Sequence, residues 1–141
     1  MKHEIAVHDL DGPALHSELT NLVDHLRRLG VGRCRVLFGW PWGNEYYPTP
    51  RWETLEFPLE AIDAEVHRVE SAELGSLGGD DLFLEFPPCD GEFQFCHHRG
   101  IHFKCEMPNQ MAAYPLTRWQ GAGWKTRERD CPEEAATPDP R

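Results

Sequence analysis

The segment from Cys96 to Cys105 concentrates the side chains that could do chemistry. Within ten residues it contains both of these cysteines and three histidines, His97, His98 and His102. Imidazole and thiolate are the groups that bind zinc-like metals best, and imidazole is also the commonest acid–base group near neutral pH. The spacing matches no established catalytic or metal-binding motif. The function therefore has to be argued from the strands that position these residues.

Alternation of apolar and polar residues predicts that this segment is a β-hairpin with a three-residue loop, His98-Arg99-Gly100. The predicted cross-strand pairs are His97 with Ile101, Phe95 with Phe103, and Phe93 with Cys105. Successive strand residues point to opposite faces, so this register makes Cys96 and His102 neighbours on the face turned away from the core.

Directly paired strand residues have Cβ atoms about 4.5–5.5 Å apart, which is close enough for Cys96 and His102 to bind one ion. His98, or Cys89 from the preceding loop, would supply a third ligand. We therefore predict a surface transition-metal site at Cys96, His98 and His102, with a zinc-like ion as the candidate cofactor. In the alternative interpretation there is no cofactor: His97 and Cys105 pack in the core, and His98 and His102 are ordinary surface residues, since structural zinc usually takes four ligands.

A catalytic role is a weaker interpretation of the same residues. Cys96 and His102 have the types of a nucleophile–base pair, but the face of a sheet offers neither an oxyanion hole nor a dry pocket. The chain has no Gly-rich phosphate loop, no G-x-S-x-G and no H-E-x-x-H. We therefore expect a protein that is not an enzyme.

A second region of functional character is the segment 38–52, which alternates aromatic residues with proline and glycine. The aromatic residues are Phe38, Trp40, Trp42, Tyr46, Tyr47 and Trp52. Rigid aromatic loops are typical of binding surfaces. The alternative is that these rings cover the core, because a small domain with five tryptophans has to bury most of them.

The negative charge is concentrated in the middle of the chain. The net charge is −10, and residues 45–92 contain 13 acidic residues against two arginines. Such a field disfavours nucleic acid and anionic membranes and would attract a basic protein partner. The alternative is that the acidic residues form a well-hydrated surface without a partner. The candidate partner-binding residues are Trp40, Trp42, Tyr46, Tyr47, Glu60 and Asp63.

Two functions follow as expectations. The first is a small acidic binding or inhibitory module, comparable in size and charge to bacterial immunity proteins, that recognises a basic partner. The second is a metal-binding protein with its site on the 92–106 hairpin. A polar N-terminus, the lack of a long apolar run and an odd number of cysteines without C-x-x-C spacing favour a cytoplasmic location. Nothing in the pattern defines an oligomeric state.

Apolar spacing predicts two amphipathic helices. The first opens at Asp11-Gly12-Pro13 and ends at Gly30, and the second begins after Pro58. Their apolar stripes are Leu15, Leu19, Leu22, Val23, Leu26 and Leu29 in the first, and Leu59, Ile62, Val66 and Val69 in the second.

Strands are predicted at about 5–7, 33–38, 51–57, 82–86, 92–97 and 101–106. The expected fold is α+β, a single domain with a mostly antiparallel sheet of about five or six strands, two helices on one face and a C-terminal three-strand meander. The domain is expected to span 1–115. The extension 116–141 is expected to dock around Trp119–Trp124 and to be disordered beyond.

Overall fold

The computed structural model describes residues 2–49, 51–87 and 90–131 of the chain. Over these residues, seven strands form one open antiparallel sheet with the order β3-β2-β4-β5-β6-β1-β7. The strands are β1 Lys2–Val7, β2 Arg33–Phe38, β3 Leu55–Pro58, β4 Leu82–Glu85, β5 Glu92–Cys96, β6 Gly100–Glu106 and β7 Arg127–Cys131. The α-helices are α1 Gly12–Arg28, α2 Gly43–Tyr46, α3 Ile62–Ser71 and α4 Ala113–Gly121.

The longest helix, α1, begins and ends where the sequence predicts. The Asp11 carboxylate accepts a hydrogen bond from the backbone N–H of Ala14 at 2.9 Å, which satisfies one of the free N–H groups of the first turn. Gly30 follows the helix with a φ of 85°, the left-handed conformation that glycine adopts without steric cost.

One face of the sheet is apolar and packs against the helices, which confirms the α+β class with helices on one face. Its central strands contribute Val36, Phe38, Leu82, Leu84, Phe93, Phe95, Ile101, Phe103, Ile5 and Val7, all of them buried. These residues form one core cluster with the apolar stripes of α1 and α3 and with Trp119 of α4. Because strand residues alternate, the residues between them define the opposite face.

That opposite face, called the polar face below, includes Glu4, Ala6, Gln94, Cys96, His102 and Lys104. Several of its polar side chains are nevertheless shielded from water. Glu4 is 5% exposed and Cys96 is also 5% exposed.

The C-terminal part of the described chain continues the domain. A boundary between residues 115 and 116 would cut α4, whose Trp119 is 1% exposed, and β7 adds an edge strand beside β1. Periodicity does not reveal β7, because four of its five residues are charged and no apolar alternation marks it. The prediction of disorder beyond Trp124 is therefore wrong for Arg127–Cys131, and its remainder, residues 132–141, lies outside the described part of the chain.

The aromatic segment mostly covers the core. Trp42 is 1% exposed, and its indole N–H donates to the backbone carbonyl of Asp81. The Tyr47 hydroxyl accepts from the backbone N–H of Phe38 at 3.0 Å, while Trp40 remains 54% exposed. In the part of the chain described, none of the helices has the combination of length and apolar character that a membrane crossing requires.

Candidate metal centre

The β5–β6 hairpin has a register two residues away from the predicted one. Cys96 pairs with Gly100, Phe95 with Ile101 and Phe93 with Phe103, so the prediction of the individual pairs was wrong. The loop consists of His97, His98 and Arg99, and this moves His97 from the predicted core face into the turn. A shift of two residues preserves the faces, however, so Cys96 and His102 still share the polar face.

Tertiary hydrogen bonds explain the shifted loop. Arg99, rather than Gly100, takes the left-handed conformation, with a φ of 58°. Its backbone N–H donates to the carbonyl of Gly78 at 3.0 Å, and its own carbonyl accepts from the N–H of Leu10 at 3.0 Å. Neighbouring loops thus compensate for a conformation that a non-glycine residue rarely adopts.

A third potential ligand comes from the end of β1. Val7 pairs with Ile101, so the next residue, His8, lies beside Gly100 on the polar face. One ligand atom from each of His8, Cys96 and His102 lies within 4.8 Å of the other two. The chain therefore brings one sulfur and two imidazole nitrogens together from β5, β6 and the residue that follows β1.

Gly100 provides the space in which these side chains meet. A Cβ atom at this position would lie 2.8 Å from His8 Nδ1 and 3.1 Å from Cys96 Sγ. It would also lie 2.8 Å from the backbone carbonyl oxygen of Val7. Any other residue would push His8 away from Cys96, so glycine is required here by the close approach and not by its φ angle.

His102 is partly buried, in a state suited to metal binding. Its Nδ1 atom is shielded from water and has no hydrogen-bond partner among the described residues; the nearest carboxylate oxygen, Oε1 of Glu4, lies 3.6 Å away. Burial lowers the pKa of His102, although Glu4 opposes this shift. The ring is therefore neutral at neutral pH and offers a nitrogen lone pair.

Glu4 is a buried carboxylate held by two cations. Its oxygens lie 3.0 Å from Nε of Arg129 and 3.7 Å from Nζ of Lys104. Burial alone would raise the pKa of Glu4, but His102, Arg129 and Lys104 together hold it below the ordinary value. Glu4 is thus a permanent negative charge next to the imidazole of His102.

The predicted ligand His98 lies elsewhere. It is exposed in the turn, with its ring centroid 4.1 Å from that of His97, and it does not belong to the converging group. His97 itself is engaged, with Nδ1 3.0 Å from Oδ1 of Asp81 and its ring against Trp40. The other predicted source of a ligand, Cys89, is outside the described residues.

The hairpin motif alone does not reveal His8, which lies far from Cys96 in the sequence. A usable signal existed in the first strand, where Glu4, Ala6 and His8 alternate with Ile5 and Val7. That alternation places His8 on the same side as the polar residues, but only the pairing of β1 with β6 brings it to Cys96.

The remaining candidate residues, those proposed to bind a partner, are divided between surface and interior. Trp42 and Tyr47 are buried, Tyr46 is partly buried, and Glu60 is exposed. Asp63 is partly buried and accepts a hydrogen bond from Thr20 at 3.2 Å. Trp40 and Glu60 are therefore the members of this set that are most accessible to a partner.

In chemical terms the centre offers a His₂Cys donor set. Zinc–ligand bonds of about 2.0–2.3 Å imply ligand atoms about 3.3–3.8 Å apart in a tetrahedral site, so the three side chains would have to close by about 1 Å. The fold and this donor set define an α+β protein with a candidate metal centre. Comparison of the chain with protein-family models, with curated proteins and with solved structures gave no match.

Proposed function

We propose that this protein binds a zinc-like transition-metal ion through His8, Cys96 and His102. The observation that carries the proposal is the convergence of their ligand atoms within 4.8 Å on the polar face. A thiolate and two imidazoles form a set that favours zinc over magnesium or calcium, which prefer oxygen ligands.

The surroundings of His102 support this proposal. Metal-binding histidines usually donate their second ring N–H to a carboxylate or carbonyl, which fixes the ring orientation. Glu4 is placed for this role, because its Oε1 is 3.6 Å from Nδ1 and a small ring rotation would complete the hydrogen bond. In this arrangement Nε2 of His102 is the nitrogen that binds the metal.

The experiment is metal titration of the untagged protein by calorimetry, with the bound zinc measured by elemental analysis. We expect one ion per chain, and loss of binding in His8→Ala and in Cys96→Ala. The matched control is His98→Ala, which removes a histidine of the same hairpin whose ring lies outside the converging group. Wild-type protein that retains less than about 0.1 equivalents of zinc at saturating metal would refute the proposal.

A second candidate function is recognition of a basic protein, as an immunity-type inhibitory module performs it. The observation in its favour is the 54% exposure of Trp40 in a chain whose negative charge is concentrated in residues 45–92. Trp42 and Tyr47 do not contribute unless the core opens, so the recognition surface would consist of Trp40 and the exposed acids such as Glu60. Its test is affinity capture from the native host with wild type, Trp40→Ala and Glu60→Lys; a captured protein that both variants retain equally would exclude this surface.

A further inference from the structure

An open cleft lies next to the candidate metal centre at one end of the sheet. Its volume is about 370 Å³, and it runs between the loop after β1 and the segment that leads into β7. His8 lines this cleft and is exposed, whereas Cys96 is buried. Of the proposed ligands, His8 is thus the most exposed, since His102 is mostly buried and Cys96 is buried.

Two cations, Lys125 and Arg127, line the same cleft. Lys125 and Arg127 form no ion pair with any other residue that the structure describes. Arg127 pairs with Ala6, and Ala6 pairs on its other side with His102, so all three lie in one row on the polar face. Neighbouring strands are about 4.8 Å apart, so the backbone of Arg127 is about 10 Å from that of His102 and its side chain can reach the metal centre.

Arg129, two residues further along β7, differs from Arg127 in having an acidic partner. It lies on the same face, but its guanidinium is 3.0 Å from Glu4 and serves to neutralise that buried carboxylate. Arg127 has no such acid opposite it, because its neighbour on β1 is Ala6. The positive charge of Arg127 is therefore available to a ligand in the cleft.

Two carboxylates also line the cleft, and they limit which anion fits. Asp11 caps α1 through the N–H of Ala14, so the positive end of the helix dipole offsets part of its charge. Asp9 contributes a negative charge next to His8. Lys125 and Arg127 together with Asp9 leave one net positive charge, which a singly charged anion balances, whereas a dianion such as phosphate meets stronger repulsion from Asp9.

We infer that the fourth coordination position of the metal opens into this cleft and takes a small carboxylate monoanion, with Lys125 and Arg127 supplying the counter-charge. The inference rests on the proposed metal site. Three protein ligands with one open position are characteristic of zinc centres that bind an exogenous ligand, in contrast to closed four-ligand structural sites. An anion is expected as the exogenous ligand because Lys125 and Arg127 line the cleft next to the open position.

The test uses the full chain loaded with Co²⁺, whose visible spectrum reports the ligands of the ion, and acetate as the probe. Acetate is expected to change the spectrum in a saturable manner, and phosphate is expected to bind more weakly. Arg127→Gln should weaken acetate binding by about tenfold. The matched control is Arg27→Gln, which removes an arginine of α1 that pairs with Asp24 and should leave acetate binding unchanged.

The outcomes separate the two proposals. If Co²⁺ does not bind, the metal-site proposal and this inference both fail. If Co²⁺ binds but acetate does not change its spectrum, the metal site stands and the open position is refuted. Tighter binding of phosphate than of acetate would overturn the assignment of a monoanion, and an unchanged acetate affinity in Arg127→Gln would overturn the role of that cation.

Discussion

Both faces of the sheet contain side chains that are shielded from water, but the buried groups are apolar on one face and ionisable on the other. On the helix-covered face, Phe93, Phe95 and Phe103 are at most 1% exposed and need only shape complementarity. On the polar face, Glu4 is 5% exposed and His102 is largely buried, so each polar group there needs a partner. The first face gives the fold its stability, and the second holds ionisable groups in a fixed arrangement.

The difference lies in how burial is compensated. Apolar side chains gain free energy from burial in proportion to the area removed from water. A buried carboxylate loses its hydration, and Arg129 and Lys104 have to offset that loss at Glu4. Substitutions on the helix-covered face should therefore lower mainly the stability, and substitutions on the polar face should lower mainly the metal affinity.

The largest effect on stability is expected for Phe103→Ala on the helix-covered face. Phe103 is 0% exposed, and its ring centroid is 4.5 Å from that of Phe93. Truncation should lower the free energy of unfolding by about 3–5 kcal/mol, measured by urea denaturation. A loss below about 1 kcal/mol would show that this face contributes less than its burial indicates.

An intermediate effect on stability, combined with a large effect on the site, is expected for Gly100→Ala. The new methyl group would contact His8 Nδ1 and the Val7 carbonyl, so we expect a loss of about 1–3 kcal/mol. Zinc affinity should fall at least about tenfold, because His8 moves away from Cys96.

The control for this substitution is Gly121→Ala, since a Cβ at Gly121 has no atom within 4 Å. It should not lower the midpoint of denaturation, because alanine favours the helical conformation of α4 at this position, and it should leave the zinc affinity unchanged. Gly100→Ala protein that binds zinc as tightly as wild type would contradict the proposed role of this close approach.

A smaller loss of stability is expected for Glu4→Gln. The side chains of Lys104 and Arg129 are 39% and 69% exposed, so they can turn to water, and we expect a cost of about 1 kcal/mol. The pKa of His102 should fall further, because Glu4 is the charge that raises it, and histidine NMR titration measures this directly. Zinc affinity should fall about 10–100-fold if Glu4 orients His102.

Glu56→Gln is the matched control. Glu56 pairs with Arg33 at the surface, where both side chains are 58% exposed. Neither zinc binding nor the titration of His102 should respond to this change. Equal effects of the two Glu→Gln variants on zinc affinity would mean that net charge, rather than the position of Glu4, is responsible.

The smallest effects concern pH, and here the two faces should respond in opposite directions. On the helix-covered side, His3 lies between Asp130 and Glu128, whose hydrogen bonds raise its pKa above 6.5. Its contribution to stability is therefore complete below pH 6.5 and is lost as the pH rises through the folded-state pKa. Because both partners belong to β7, this edge strand should loosen first.

His102 on the polar face has the opposite sign. Its pKa is lowered by burial, so its contribution to stability in the metal-free protein is present above pH 6.5 and is lost as the pH falls through the folded-state pKa.

The prediction for His3 is tested by hydrogen exchange of the β7 amides, corrected for intrinsic rates, which should show lower protection at pH 8.5 than at pH 6. His3→Ala should remove that difference; if the difference persists, another group controls the docking of β7.

Much of the fold could be predicted, because it depends on local chemistry. The Asp11 cap, Gly30 and the apolar stripe of α1 are local signals, and they agree with the structure except at Leu29, which follows the helix and is 54% exposed. The edge strand β7 could not be predicted in this way. Its charged residues are stabilised by pairing with β1, and that pairing is absent from any local pattern.

For the candidate site, the sequence by itself determined that Cys96 and His102 share a face, since the two-residue period of a strand survives even a register shift of two. Only the tertiary structure decided which third residue joins them. Pairing of β1 with β6 brings in His8, and the contacts of Arg99 with neighbouring loops hold the turn so that His98 stays outside. Alternation is a property of the chain, whereas register and strand order depend on contacts between segments that are distant in sequence.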